Sequence, residues 1–138
     1  MNEYQNLLNE RQYVAVATKA QFVRIVAGAG SGKTRVLTYR IAYLIGEMGV
    51  YPENILAFAF TNKAAGEMKD RAIKLVPHAQ AHLRISTFHS FCARFLRSEI
   101  GALGFPSNFT IFDEDDQEKL LKNVAEELNY QKKDPIVK

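Results

Sequence analysis

The chain has 138 residues, 47% of them hydrophobic and 24% charged, with 8 Gly and 4 Pro; this is a globular composition with room for one core, and it excludes disordered and collagen-like classes. Eighteen Lys and Arg against 15 Asp and Glu leave a formal charge of +3, an excess too small to argue for a polyanion partner by itself. A single cysteine, Cys92, excludes an internal disulfide framework and a four-cysteine metal site, no apolar stretch approaches the roughly 20 residues of a membrane span, and Met1 to Tyr4 lacks a secretory opening, so a cytoplasmic protein with no membrane partner is expected.

Asn9 is placed to cap a short helix through Tyr13, Val14, Val16 and Ala17 that stops near Thr18. Phe22 to Ala27 is a short, β-branched apolar run ending in glycines, which predicts a buried strand entering a loop. From Lys33 to Met48, Val36, Leu37, Ile41, Leu44, Ile45 and Met48 recur at three- and four-residue intervals, which predicts a helix. After Gly49 and Pro52, Ile55 to Phe60 is apolar throughout and predicts a strand covered on both faces. A helix from Asn62 to Val76 follows, with Ala65, Met68, Ala72 and Ile73 on one side and Pro77 closing it. Leu83 to Ser86 predicts a third strand, and Phe88, Phe91, Cys92, Phe95 and Leu96 give the next helix a broad apolar face, with Cys92 as a small core residue. Gly101 to Asn108 marks a loop, and Asp113 with Asp116 starts a last helix holding Leu120, Leu121, Val124 and Leu128. Tyr130 to Lys138 is polar, carries Pro135 and shows no closing element, so the chain is expected to be a segment of a longer one. Strands alternating with helices imply parallel βαβ units, an α/β fold.

Gly28-Ala29-Gly30-Ser31-Gly32-Lys33-Thr34 lies between the first predicted strand and its helix. Three glycines let the backbone turn so that N–H groups and the helix N-terminus face phosphate oxygens, with Lys33 reaching the β- and γ-phosphates and the Thr34 hydroxyl on Mg²⁺. The strict phosphate-loop pattern has Gly where this chain has Ala27. The loop alone leaves GTPases, kinases, transport ATPases and nucleic-acid motors open. Asn62-Lys63-Ala64-Ala65 has Ala65 where a guanine-reading Asp belongs, so it does not favour a GTPase.

Four segments occur in order: Leu8-Asn9-Glu10-Arg11-Gln12, the loop, Phe60-Thr61-Asn62-Lys63-Ala64-Ala65-Gly66-Glu67-Met68, and Ser86-Thr87-Phe88-His89-Ser90-Phe91. Together they resemble motifs Q, I, Ia and Ib of the UvrD/Rep/PcrA family of superfamily 1 DNA helicases, over roughly residues 5 to 128. Ala27 matches that family, which often lacks the first glycine. The resemblance implies that Gln12 reads the adenine edge, that Arg35 lies against adenine, and that Ala27 to Arg35 bind ATP with Mg²⁺. It also implies that Phe60, Thr61, Asn62, Lys63, Thr87, Phe88 and His89 contact single-stranded DNA. Aromatic faces for bases and polar groups for phosphates agree in kind; core positions for Phe60 and Phe88, and a solvated surface for Lys63 and Arg35, are the alternatives.

The same resemblance implies a P-loop, RecA-like fold of three layers around a parallel sheet, incomplete here. Residues 1–104 would form the first part of the ATP-binding domain and 105–138 the beginning of an inserted helical subdomain. It implies ATP-driven 3′-to-5′ translocation and unwinding at duplex junctions, with the rest of the helicase chain as partner; these 138 residues by themselves are expected to bind ATP without turnover. A non-catalytic module binding ATP or single-stranded DNA is the alternative. Two look-alikes stand aside: His78 and His82 have helical zinc spacing but no Glu between them and no third ligand, so no zinc is expected. Phe109 to Glu114 imitates the strand and Asp-Glu pair of an acidic motif, but Asp113 is better read as a helix cap with Asp116.

Overall fold

A computed structural model describes residues 3–130, and the polar segment 131–138 lies outside the described residues. The chain divides into two compact units, Met1–Ala93 and Arg94–Lys138. The first contains helices α1 (Glu3–Leu7), α2 (Glu10–Ala17), α3 (Lys33–Gly46) and α4 (Asn62–Leu75), and strands β1 (Leu56–Phe58) and β2 (Arg84–Ser86). Helix α5 (Phe88–Glu99) runs across the division, and α6 (Glu114–Glu127) belongs to the second unit.

Local chemistry accounts for the helix ends. Asn9 Oδ1 accepts from Gln12 N at 2.9 Å and Gln12 Oε1 accepts from Asn9 N at 3.2 Å, so each satisfies an orphan donor of the first turn of α2. Thr61 caps α4 by accepting from Ala64 N at 3.1 Å, and Asp113 with Asp116 builds a reciprocal cap at the start of α6.

β1 and β2 pair in parallel, with Leu56 opposite Arg84, Ala57 opposite Ile85 and Phe58 opposite Ser86. Helix α4 connects them, so the expected βαβ unit is present. Its core joins Ile41, Ala42 and Ile45 of α3, Ala72 of α4, and Ile55, Val76, Ala79 and Leu83 of the connecting segments. Each fully buried branched side chain there contributes about 1.5–3 kcal/mol by leaving water. A smaller cluster packs Val16 against Leu8 and Val36, and the Arg40 guanidinium donates to the Val16 carbonyl, tying α2 to α3.

Two expectations about the strands are corrected. Residues 22–27 form no strand: they carry no regular structure and no backbone-to-backbone hydrogen bond among the described residues, and Phe22 and Val26 are 86% and 84% exposed. A strand exists only through its neighbours' N–H and C=O groups, and among the described residues none bonds to this run. Leu56 is exposed, so β1 is not covered on both faces.

In the second unit, Gly104 turns the chain with a φ of +78° after the short 3₁₀ helix Ile100–Leu103. Arg97 lies over the Phe109 ring. On α6 Ala125 is buried, while Leu120, Leu121 and Val124, and Leu128 just past its end, are exposed. The Lys122 ammonium, bonded to Glu118, holds that carboxyl below its usual range. Cys92 is exposed rather than a core residue, because α5 buries none of its side chains. His78 sits in the 3₁₀ helix Pro77–Ala79 and His82 in the turn beyond it, so the two do not occupy successive turns of one α-helix. Among the described residues no helix is long and apolar enough to cross a membrane.

Candidate functional site

The loop from Gly28 to Gly32 leads directly into α3, whose N-cap is Gly32. Gly30 and Gly32 take φ values of +73° and +85°, left-handed conformations that cost other residues about 1–2 kcal/mol. Nothing lies within 4 Å of where a Cβ would sit on Gly28 or Gly30, so the backbone is open on that side. The N–H groups of Gly32, Lys33 and Thr34 make no backbone hydrogen bond among the described residues, as expected for the first turn of a helix, and they form a local positive end.

Lys33 Nζ donates to the Ala27 and Gly28 carbonyls at 2.9 and 2.6 Å. The ammonium is thus held over the loop by neutral acceptors, which anionic oxygens outcompete because charge-assisted bonds are roughly twice as strong. Ser31 Oγ donates to the Gly28 carbonyl at 2.7 Å and stiffens the turn. The Thr34 hydroxyl makes no hydrogen bond among the described residues, while its carbonyl accepts from Thr38 Oγ1 at 2.8 Å.

A cavity of about 540 Å³ opens between this loop and the start of α2, lined among others by Asn9, Gln12, Ala27, Ser31 and Lys33. Gln12 bridges its two walls: the amide that closes the cap on Asn9 also donates from Nε2 to the Ser31 carbonyl at 3.3 Å. Sequence reasoning missed this bond, because nothing local connects positions 12 and 31. It makes Gly32 a sensitive site, since a Cβ there would lie 2.9 Å from Gln12 Nε2. Gly32→Ala is therefore expected to displace Gln12 and strain the loop by about 1–2 kcal/mol. Titration of the full-length variant with ATP should show weaker binding; wild-type affinity would mean that neither the backbone conformation nor the Gln12 contact matters.

Arg35 faces elsewhere. Its Nη2 donates to the Leu7 carbonyl at 2.6 Å and its guanidinium carbon lies 5.5 Å from the Tyr39 ring centre. It lines a separate cavity of about 300 Å³ with Tyr39, Arg71 and Lys74, between α3 and α4.

The remaining sequence-chosen residues gather where β1 and β2 end, because parallel strands in level register deliver both following helices to one sheet edge. Phe60 is 99% exposed. Phe88 stacks on Phe58 at 3.9 Å between ring centres and remains 62% exposed. Lys63 and His89 are exposed. Thr61 has its hydroxyl in the cap of α4, and Thr87 is buried, its Oγ1 accepting from Ser90 N at 3.2 Å as the cap of α5. Asn62 Oδ1 lies 3.3 Å from Ser90 Oγ and 3.4 Å from Thr87 Oγ1. Ser90 is the residue that sequence reasoning left out here; its signal was the three-residue spacing from Thr87, the spacing of a cap and its N3 partner.

The chain matches the UvrD/REP helicase N-terminal domain over residues 8–137. It is 50% identical over 133 residues to a protein of Staphylococcus aureus named ATP-dependent DNA helicase PcrA, and 49% identical to the protein of that name from Staphylococcus epidermidis. Each comparison covers 96% of this chain, which spans 18% of the relative's length.

Proposed function

Since the chain belongs to the UvrD/REP helicase N-terminal domain family, we propose that it is the ATP-binding segment of a DNA helicase that couples ATP hydrolysis to 3′-to-5′ movement on single-stranded DNA and to unwinding at duplex junctions. The observation that carries this reading is the cavity in which Gln12, Ala27, Ser31 and Lys33 converge beside the N-terminus of α3. Residues 1–104 then form the first part of a RecA-like domain, residues 105–138 begin an inserted helical subdomain, and the rest of the helicase chain supplies the other wall of the ATP cleft.

The residues present fit a triphosphate with Mg²⁺. Gly28 and Gly30 offer an open backbone, Lys33 a positive charge on exchangeable acceptors, and Thr34 a hydroxyl available as a hard oxygen ligand. When bound, Mg²⁺ would neutralise part of the phosphate charge. The chain's own contribution is to bind and orient: the loop N–H groups and Lys33 hold the phosphates, and Gln12 selects the base. Gln12 carries one amide donor pair and one carbonyl, so reading an adenine edge requires it to exchange its present partners, Asn9 N and the Ser31 carbonyl. Phe60, Thr61, Asn62, Lys63, Thr87, Phe88 and His89 form the proposed strand path. In this path Phe60 and Phe88 offer ring faces, Lys63 and His89 meet phosphates, and Thr61 and Thr87 act by setting the two helix starts.

The test compares ATP with inorganic tripolyphosphate. Gln12→Ala in the full-length protein should weaken ATP by about tenfold, a bond's worth of base recognition, and tripolyphosphate much less. Equal losses for both ligands would remove Gln12 from base recognition and assign it to the loop alone.

A further inference from the structure

Three polar side chains join the starts of α4 and α5. Thr87 Oγ1 and Ser90 Oγ are 2.8 Å apart, Ser90 Oγ is 3.3 Å from Asn62 Oδ1, and Thr87 Oγ1 is 3.4 Å from the same oxygen. Each hydroxyl has one proton. The shorter contact takes that of Thr87, so Thr87 donates to Ser90 and Ser90 donates to Asn62 Oδ1. Thr87 Oγ1 keeps a lone pair for Ser90 N, which caps α5 at 3.2 Å. The chain of bonds is thereby consistent in every donor and acceptor. It also orients Asn62, because an amide whose oxygen is held inward turns its NH₂ outward, and Asn62 Nδ2 makes no hydrogen bond among the described residues. Asn62 is the first residue of α4 and lies between Phe60 and Lys63 at the exposed sheet edge.

We propose that Ser90 is a positioning residue of the single-strand path: through its hydroxyl it holds Asn62 Oδ1, aims the Asn62 NH₂ at a backbone phosphate, and fixes the spacing between the Phe60–Lys63 and Phe88–His89 contact groups. This rests on the reading of that sheet edge as a DNA path. Ser90 acts through Asn62 and does not touch the strand. A cap alone would not need its side chain, since the capping bond uses Ser90 N and Thr87 Oγ1. Ser90→Ala therefore leaves the capping bond in place and removes the two bonds of the hydroxyl, the one accepted from Thr87 and the one donated to Asn62.

The experiment measures the affinity of a fluorescent oligothymidine for the full-length protein in a double-mutant cycle. Ser90→Ala should weaken binding by about tenfold, and Asn62→Ala by at least as much. The double variant should be no weaker than Asn62→Ala, and Ser90→Thr, which retains the hydroxyl, should bind as wild type. Losses that multiply in the double variant, wild-type binding by Ser90→Ala beside a weak Asn62→Ala, or failure of Ser90→Thr to restore binding would each overturn the proposal and leave the DNA path standing. Wild-type binding by Phe60→Ala, Asn62→Ala and Lys63→Ala together would overturn the DNA path itself, and this role with it.

Discussion

Lys33→Ala in the full-length protein is expected to lose ATPase activity by about 10²–10³-fold or more, the range seen when one preorganised electrostatic contact to developing charge is removed. Among the described residues Lys33 is the one whose ammonium is held by the loop carbonyls of Ala27 and Gly28. Transition-state charge in phosphoryl transfer spreads over the γ-phosphate oxygens, so a preplaced positive charge acts on the barrier as well as on binding. Lys33→Arg should also be strongly impaired, because a planar fork cannot reproduce a compact point charge at this position. Steady-state turnover with saturating ATP and DNA is the measurement. Near-normal turnover by Lys33→Ala would sink the assignment of the loop to phosphate binding.

Phe60→Ala is expected to weaken single-stranded DNA by about 5- to 150-fold, corresponding to about 1–3 kcal/mol for one stacked base. With 99% of its surface exposed, the ring has little folding stability to lose, so affinity should fall while the thermal midpoint stays put. Lys63→Ala gives the complementary signature: the slope of log affinity against log salt should shrink by about 0.7 for one lost phosphate contact on a single strand. Oligonucleotide titrations at several salt concentrations read both. A Phe60→Ala protein that binds as wild type but melts lower would return that ring to the packing of the sheet edge.

The features legible from sequence are those whose causes lie within a few residues. Asn9 and Gln12, Thr61, and Asp113 with Asp116 start their helices through bonds spanning three positions, and such bonds are written in local spacing. The glycines of the loop are legible for the same reason, since φ values of +73° and +85° at Gly30 and Gly32 are a backbone demand that their own side-chain absence answers. The order of β1, α4 and β2 follows from periodicity alone.

What required tertiary structure is everything decided by a distant neighbour. Phe22 to Ala27 has the composition of a buried strand, yet composition only permits pairing; hydrogen bonds from adjacent strands create it, and none reaches this run among the described residues. Cys92 sits on an apolar helix pattern, but burial needs a second surface to cover it, and among the described residues none covers that position. Gln12 and Ser31 are 19 residues apart, and Asn62 and Ser90 are 28 apart. The chain thus specifies by itself which groups cap its helices and where the glycine loop turns, because short-range bonds are set by covalent spacing. Only the packing of α2 beside the loop, and of α4 and α5 at one edge of a parallel sheet, decides which of those groups meet, because contact between remote residues depends on how the whole backbone closes.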